Sequence, residues 1–455
     1  MSVSILQNCA IATIDAARRE FSTGHVVVEG NRIVAVGPGA APERFVKGAA
    51  RRFDLGGCLV TPGLVNCHHH LYQFATRGQV CDGTLFQWLT ALYPVWARID
   101  EDIVVAAARA GLAMLLRSGC STTTDHHYVF PASAGDLFAA EVDTARALGI
   151  RFHPCRGAMD LGQSDGGLPP DSLVEDRDTI LAAYEDVVAR FHDTSPGAMT
   201  RVALAPTSPF SVTRELLVET AELARRLGVR LHTHVAETVD EQDFCREHFG
   251  MRPLEYLEDA GWLGGDVWLA HCIHLNDSEC ARMGHTGTGA AHCPSSNGRL
   301  GAGIAPVPRL LGAGAPVGLG VDGAASNESG ALAEELRTAL ILGRAAAGPT
   351  ALGVRDVLEM ATLHGARCLA RDDEIGHLSV GALADIAVWR LDDLARAGIE
   401  DPVAALVLAT APQVELLIVD GRVVVESGEL RTADEFALAS ALALASRRLG
   451  EAAIA

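Results

Sequence analysis

The chain has 455 residues, of which 49% are hydrophobic and 21% are charged, and its formal net charge is −20. This length allows a large core, built as a barrel with additions. Such an acidic protein has no general attraction for phosphate backbones or anionic membrane surfaces, so we expect neither a nucleic acid nor a membrane as its partner.

The 11 cysteines are scattered along the chain. No two of them form a Cys-x-x-Cys pair, so we interpret them as reduced thiols and expect a cytoplasmic protein. The first residues lack the basic segment and apolar run of a signal peptide. No stretch of about 18 uncharged apolar residues is present that could span a membrane.

Short strands are predicted near both ends of the chain, separated by turn signals such as Gly30-Asn31 and Asp420-Gly421. They cover residues 26–29, 32–37, 52–55, 384–389, 414–419 and 422–426. Two β-rich ends that flank one large centre predict a small β-sandwich domain. We assign residues 1–61 to its N-terminal part and residues 376–455 to its C-terminal part, which includes a terminal helix.

The centre of the chain alternates between short apolar runs and segments with helical periodicity, such as residues 103–116 and 214–227. The eight runs are residues 64–66, 121–124, 151–154, 201–205, 229–233, 267–270, 289–291 and 316–321. Apolar strands that alternate with helices indicate a parallel sheet. Eight such units predict an α/β fold, a (β/α)₈ TIM barrel over residues 62–375.

Two histidines end the first predicted barrel strand. His68 and His70 lie two residues apart, so in a strand both face the same side, while His69 faces away. Two imidazoles side by side suit a divalent metal ion of the zinc type.

Three further predicted strands end in groups that suit a metal site. His232 and His234 end the fifth strand, and on spacing alone either one could be a ligand. The other groups are Glu237 after that strand, His271 after the sixth and Asp322 after the eighth. Because barrel strands present their carboxyl ends at one mouth, we expect these groups to converge there. Several ligands with an open position indicate a catalytic site.

This pattern resembles the amidohydrolase superfamily, in its branch of cytosine deaminases and triazine hydrolases, over nearly the whole chain. The matching residues are His68-x-His70, His234-x-x-Glu237, His271 and Asp322. The resemblance implies that His232 is a structural neighbour and that the metal ligands are His68, His70, His234 and Asp322.

The resemblance also implies one Zn²⁺ per chain, with Fe²⁺ as the alternative ion. Two-metal members of the superfamily use a carboxylated lysine on a barrel strand. The only lysine here, Lys47, lies before the barrel.

The implied reaction is a hydrolytic deamination. Asp322 takes a proton from the attacking water and later gives it to the leaving amine. Glu237 protonates the adjacent ring nitrogen, and His271 donates to the attacking oxygen or orients it. The products are ammonia and the keto heterocycle.

Longer stretches are similar to the 8-oxoguanine deaminase group in particular. They are residues 68–73, 92–96, 166–171, 208–212, 292–297 and 303–307. They imply hydrolysis of a free purine-like base, 8-oxoguanine, to urate and ammonia. Three positions depart from that group: Ser295 replaces a usual Cys, Gly298 a usual Met and His127 a usual Leu.

Four residues are candidates for substrate contacts. The Gln73 amide offers a donor and an acceptor to a base edge, and the Trp88 indole offers a stacking face, with core packing as its alternative role. Ser208 and Arg77 are further candidates, and Arg77 could instead bridge a backbone carbonyl. We expect a small heterocyclic base as the partner, with a homo-oligomer as an option.

Three alternative functions must be compared with this one. Isocytosine, guanine or a chlorinated or aminated triazine would use the same machinery, because loops read the ring. A cytidine-type zinc deaminase is excluded, since Pro294 is followed by Ser295-Ser296 and not by the Cys-x-x-Cys which that fold needs. A barrel that binds a metal and a ligand without turnover is disfavoured, because Glu237 and Asp322 are both present.

Overall fold

The computed structural model of the chain describes residues 2–451. Its centre is a closed barrel of eight parallel strands, which confirms the predicted fold class. In chain order, β1 to β8 are Leu64–Asn66, Cys120–His127, Arg151–Ala158, Ala203–Pro206, Arg230–Val235, Val267–His271, Gly289–His292 and Val317–Leu319. Strand β8 pairs with β1 through Leu319 and Asn66, and this pairing closes the barrel.

Strands β2 and β3 run further than their apolar runs predict. The parallel pairing of β2 with β3 continues as far as His127 and Arg156. The added residues of β2, Asp125 to His127, are polar but fully buried. Polar residues in a buried strand conceal its end from hydrophobic patterning, because the side chains find partners inside the protein.

The predicted small domain from both chain ends is confirmed as one mixed sheet of nine strands. Its strands are Val3–Ala12, Glu20–Glu29, Arg32–Pro38, Ala49–Asp54, Cys58–Pro62, Ile386–Arg390, Val414–Val419, Arg422–Glu426 and Glu429–Leu430. Cys58–Pro62 joins the two halves, since it pairs in parallel with Val3–Ala12 and antiparallel with Ile386–Arg390.

Helices surround the barrel and extend the chain beyond it. The α-helices of seven or more residues are Leu85–Trp96, Glu101–Arg117, Leu137–Leu148, Arg177–Phe191, Arg214–Leu227, Val239–Phe249, Pro253–Asp259, Asp277–Thr286, Leu332–Ala347, Pro402–Leu408 and Glu435–Glu451. The shorter helical segments are Glu43–Val46, Leu71–Thr76, Gln163–Asp165, Asp171–Leu173, Pro294–Arg299, Val307–Gly312, Val354–Glu359, Met360–His364 and Gly365–Cys368.

A buried ion pair links the small sheet to the barrel. Arg151 opens β3, and its Nε and Nη2 atoms donate to the Asp385 carboxylate at 2.9 and 3.1 Å. The same carboxylate accepts the backbone N–H of Asp420 at 2.7 Å. Because both charges are removed from water, they depend on each other for compensation. This contact lies at the amino ends of the barrel strands.

Within residues 2–451, no helix combines the length and the apolar character needed to cross a bilayer. All 11 cysteines are free in this part of the chain, as predicted.

Candidate metal centre and active site

The backbone brings the ends of the first and eighth barrel strands together. His69–His70 and Asp322–Gly323 form a parallel two-residue ladder just beyond β1 and β8. The N–H of Asp322 donates to the carbonyl of His68 at 3.1 Å. This pairing places the side chains of His68, His70 and Asp322 at the same mouth of the barrel.

Left-handed backbone turns follow three of the strands that carry candidate residues. Positive φ angles occur at Ala236 (52°), His271 (69°), Cys272 (53°) and Asp322 (63°), none of which is glycine. Each such residue costs roughly 1–3 kcal/mol, and this conformation clusters at functional sites. The turns redirect the chain at the carboxyl ends of β5, β6 and β8.

Four candidate ligands converge at this mouth. The Nε2 atom of His70 lies 3.2 Å from Nε2 of His234 and 3.3 Å from Oδ1 of Asp322. The Nε2 atom of His68 lies 3.4 Å from the same Asp322 oxygen. Ligands bound to a tetrahedral zinc ion at about 2.0–2.1 Å are themselves about 3.3–3.4 Å apart. The spacing of these atoms therefore fits one divalent cation among them.

The other ring nitrogen of each candidate ligand is fixed by a hydrogen bond. Nδ1 of His70 donates to the His126 carbonyl at 2.7 Å, and Nδ1 of His234 donates to the Thr207 carbonyl at 2.6 Å. These bonds leave the Nε2 lone pairs available, as in most metal-binding histidines.

His232, the second histidine of β5, lies behind His68. The two rings are joined by a hydrogen bond of 2.8 Å between Nδ1 of His68 and Nε2 of His232. Of the two histidines of β5, His234 places its Nε2 3.2 Å from Nε2 of His70, whereas Nε2 of His232 is engaged by His68.

The chemistry of this set also fits a cation. Nε2 of His68 is buried and has no hydrogen-bond partner among residues 2–451. Burial lowers the pKa of His68 to about 3 and that of His234 well below its usual value, so both rings are neutral. A buried imidazole nitrogen without a proton or a partner is an unmet acceptor, which a metal ion would satisfy.

Two carboxyl groups next to this set have opposite properties. Burial and the charge of Asp322 raise the pKa of Glu237 well above its usual value. Asp322 lies against Nε2 of His68 and Nε2 of His70, so a cation held by these rings would favour its ionised form. Glu237 is thus the carboxyl whose environment favours the protonated form, and Asp322 is the one beside the candidate cation ligands, which separates a proton donor from a proton acceptor.

His271 lies between these two carboxyl groups. Its Nε2 atom is 3.6 Å from Oε2 of Glu237 and 3.9 Å from Oδ2 of Asp322. Its Nδ1 atom donates to Oδ1 of Asn297 at 2.9 Å. The ring is therefore oriented toward both proton-transfer groups.

Several supporting residues were not predicted from the sequence. The Ser296 hydroxyl donates to Oδ2 of Asp322 at 2.6 Å. The Glu241 carboxylate accepts the N–H groups of Ala236 and Glu237, both at 2.8 Å, and so holds the Glu237 loop. Ser296 and Asn297 lie within the stretch 292–297 that resembles the family, and this was the only available signal for them.

A cavity opens directly onto these groups. Its walls are mainly aromatic and aliphatic, and its lining includes Leu85, Trp88, Leu89, Tyr93, Tyr128, Phe210 and Leu300. Polar side chains complete the lining, among them His234, Glu237 and Asp322. A mainly apolar cavity with a few convergent polar groups is typical of a small-molecule site.

Three of the four candidate substrate contacts line this cavity: Gln73, Trp88 and Ser208. Oε1 of Gln73 and Nε1 of Trp88 are buried without a hydrogen-bond partner among the described residues. The Ser208 hydroxyl is hydrogen-bonded to that of Ser211 at 2.7 Å. Arg77 is not brought to the cavity. It is exposed, and its guanidinium donates to the Glu328 carbonyl.

The three departures from the 8-oxoguanine deaminase group lie outside the cavity lining. A Cβ atom at Gly298 would meet nothing within 4 Å. The Ser295 hydroxyl is 3.5 Å from that of Thr338. His127 is buried behind the cavity, with Nδ1 at 2.8 Å from the Glu141 carboxyl. The positions therefore do not reshape the cavity directly.

Comparisons with known proteins agree with this arrangement. Residues 59–424 match the model of the amidohydrolase family. The chain is 46% identical over 420 residues to the 8-oxoguanine deaminase of Pseudomonas aeruginosa, which covers 92% of this chain and 93% of that protein. It is 42% identical over 370 residues to an isoxanthopterin deaminase of an unknown prokaryotic organism, which covers 77% of each.

Solved structures give the same result. The crystal structure of atrazine chlorohydrolase from Arthrobacter aurescens TC1, complexed with zinc, superposes with a TM-score of 0.93 at 33% identity. The superposition covers 97% of this chain and 100% of that one. By sequence and by structure, the chain belongs to the amidohydrolase family.

Proposed function

We propose that this protein hydrolyses the exocyclic amino group of a free purine-like base, converting 8-oxoguanine to urate and ammonia. The observation that carries the proposal is the convergence of His68, His70, His234 and Asp322 beside an apolar cavity. The ligand atoms of the pairs His70–His234, His70–Asp322 and His68–Asp322 lie 3.2–3.4 Å apart. The 46% identity to an 8-oxoguanine deaminase supports this choice of substrate.

The four convergent residues would hold one divalent cation, which we propose to be Zn²⁺. A bound divalent cation supplies Lewis acidity, which lowers the pKa of water at the site. The absence of any lysine from the barrel supports a single ion, since Lys47 precedes β1.

Two carboxyl residues beside the metal ligands, Asp322 and Glu237, carry out different proton transfers. Asp322, beside the ligand nitrogens of His68 and His70, accepts a proton from the attacking water as the water oxygen bonds to the ring carbon that bears the amino group. Glu237, held protonated, donates to the neighbouring ring nitrogen, so the ring gains no net negative charge. Asp322 then gives its proton to the amine as the C–N bond breaks, and the proton of the added hydroxyl returns to Glu237 as the keto group forms. The base and water become the keto base and ammonia.

His271 orients the attacking water in this scheme. Its Nε2 atom lies within 4 Å of both carboxyl groups, and its ring is held by Asn297. A fixed polar group of this kind stabilises charge that develops on the attacking oxygen, without reorganising during the reaction.

Two side-chain groups without a hydrogen-bond partner would form hydrogen bonds with the base. Nε1 of Trp88 offers a donor, and Oε1 of Gln73 offers an acceptor. Purine bases present both carbonyl acceptors and N–H donors at their edges. An empty donor and an empty acceptor in an apolar cavity therefore favour an oxopurine over a hydrocarbon ring. Ser208 is a third candidate contact, through its cavity position.

A second candidate substrate class uses the same residues. Relatives include a hydroxydechloroatrazine ethylaminohydrolase of Pseudomonas sp. (strain ADP), 38% identical over 451 residues. An aminated or chlorinated triazine, guanine or isocytosine would present a similar ring carbon to the same machinery. These substrates are therefore the alternatives against which 8-oxoguanine must be compared.

The deciding experiment measures ammonia release by the zinc-loaded protein. The bases are 8-oxoguanine, guanine, isocytosine, isoxanthopterin, cytosine and an aminotriazine, each at matched concentrations. We expect the highest kcat/KM for 8-oxoguanine and formation of urate in equal amount. A clear preference for a triazine would replace the substrate assignment, and no ammonia from any base would overturn the proposed activity.

The proposal includes a cytoplasmic location and a homo-oligomeric state. The 11 free cysteines support a reducing compartment. Exposed apolar side chains on the last helix, Phe436 at 82% and Leu444 at 63% exposure, support contact with a second copy. Light scattering of the purified protein measures the oligomeric state, and a monomer at micromolar concentration would reject it.

A further inference from the structure

A second cavity lies at the opposite end of the barrel from the active-site mouth. It opens at the amino ends of β3, β4 and β5, with a volume of about 210 Å³. Its lining includes His153, His192, Thr194, Arg201 and Arg230. The proposed deaminase reaction uses none of these residues.

The two arginines present unused donors. Nε of Arg201 and Nε of Arg230 are both buried and lack a hydrogen-bond partner among the described residues. Arg230 donates to the Gly265 carbonyl at 2.8 Å through Nη1, and no carboxylate within residues 2–451 lies within 4.0 Å of its nitrogens. Burial lowers the pKa of Arg230. Arg230 is half-buried and its guanidinium lies 5.7 Å from the centre of the Trp268 ring, so a cationic group that lines the cavity is paired with an aromatic ring and not with a carboxylate.

The two histidines also face the cavity as donors, because their other nitrogens accept hydrogen bonds. Nδ1 of His192 accepts the N–H of Val202 at 3.0 Å, so its proton is on Nε2. Nε2 of His153 accepts from Nη1 of Arg371 at 3.4 Å, so its proton is on Nδ1. Burial and then the charges of Arg371 and Arg201 lower the pKa of His153 well below its usual value, which reports a positive potential here.

No carboxylate is among the residues that line this cavity. The Glu374 carboxylate lies behind the cavity. Its Oε2 atom is 2.7 Å from Nη2 of Arg371 and 3.4 Å from Nη2 of Arg201. The Asp193 carboxylate accepts the Ser195 N–H at 2.8 Å. A cavity lined by cations and donors is unexpected in a protein with a net charge of −20.

We propose that this cavity binds a small oxyanion of the phosphate or carboxylate type. An oxyanion would accept hydrogen bonds from the guanidinium groups of Arg201 and Arg230 that line the cavity, since arginine matches the geometry of both anions through parallel hydrogen bonds. The hydroxyl of Thr194 and the ring N–H groups of His153 and His192 supply further donors. The site is separate from the catalytic mouth, so its ligand is not the substrate.

The test is calorimetric titration of the zinc-loaded protein with inorganic phosphate and, in a second arm, with acetate, at constant ionic strength. The first variant is Thr194→Glu, which places a carboxylate at an exposed position of the rim. The second variant is Arg230→Gln. The matched control is Arg226→Gln, which removes an arginine whose side chain is 63% exposed.

We expect one saturable site in the wild type and in Arg226→Gln, with affinity at least about tenfold weaker in Thr194→Glu and Arg230→Gln. The stronger of the two anions identifies the ligand class. Failure of both anions to saturate would overturn the proposal. Unchanged binding in Thr194→Glu would also overturn it, because the anion would then lie elsewhere, for example at the metal centre. If Arg230→Gln does not fold, Thr194→Glu alone decides.

Discussion

His232 fixes the orientation of His68 through a hydrogen bond of 2.8 Å. Nδ1 of His232 donates to the Trp268 carbonyl at 2.8 Å, so its Nε2 must accept, and the proton between the rings belongs to Nδ1 of His68. This leaves the lone pair of His68 on Nε2, which faces Asp322. Two histidines of one strand, His232 and His234, therefore have different roles.

Replacing His232 with Phe is expected to weaken zinc binding about 10- to 100-fold, because groups that orient metal ligands typically contribute that much. Competition with a chelator of known affinity measures the change. His25→Phe is the control, since His25 is also buried but lies in the small sheet. Equal zinc affinities in the two variants would contradict the role of His232.

The Glu237→Gln protein is expected to keep its zinc and lose about 10²- to 10⁴-fold in kcat, because glutamine cannot transfer the proton. Metal analysis and steady-state ammonia release test the two parts separately. The control is Glu247→Gln, at an exposed position on the following helix. Near-normal turnover in Glu237→Gln would remove Glu237 from the mechanism.

Trp88→Phe keeps an aromatic wall but removes the unpartnered Nε1 donor. We expect kcat/KM for 8-oxoguanine to fall about tenfold or more, since a lost polar contact in a closed site costs at least this much. Trp262→Phe is the matched control, because its Nε1 donates to the Leu217 carbonyl at 2.9 Å in the outer core. A fall of the same size in both variants would indicate general destabilisation instead.

The Arg151–Asp385 pair is expected to stabilise the fold without affecting catalysis. Arg151→Met leaves the Asp385 carboxylate buried and unpaired, which costs about 3–5 kcal/mol. Urea unfolding measures the loss, and the activity of each folded molecule should stay unchanged. Adding Asp385→Leu should recover most of the loss, because an apolar pair replaces the unpaired charge. No recovery in the double variant would contradict this account.

Glu141 is expected to make the fold less stable in alkaline solution. Burial raises its pKa to about 8, so near neutral pH it is protonated and donates to Nδ1 of His127. Between these two pKa values the folded protein therefore binds a proton that the unfolded chain does not. The resulting contribution to the free energy of unfolding is complete below pH about 4.5 and is lost as pH rises through about 8. Glu141→Gln keeps a donor and should lack this loss. Thermal unfolding from pH 6 to 9 compares them, and parallel curves would refute the assignment.

The strand ends and their chemistry could be predicted because they are local features. Apolar runs located all eight barrel strands, and the polar residues after four of them identified His68, His234, His271 and Asp322 as neighbours. Hydrophobic patterning failed where a buried strand is polar, as at His127 in β2. It also gave no strand for Val3–Ala12, whose pairing shifts register after Gln7.

The supporting residues could not be predicted because their partners are distant in the chain. Asn297 holds His271, and Ser296 donates to Asp322, through loops whose approach depends on the whole barrel. His232 and His234 have the same spacing from their neighbours and face the same side, so only their depth in the barrel separates them. Arg77 follows the same strand as Gln73, yet its side chain turns outward to Glu328.

The most direct test of the account is ammonia release measured while the metal-free protein is titrated with zinc. We expect no activity without metal, a linear rise in activity as zinc is added, and a plateau at one zinc ion per chain. A plateau at two ions per chain, or full activity in the metal-free protein, would contradict the single centre formed by His68, His70, His234 and Asp322.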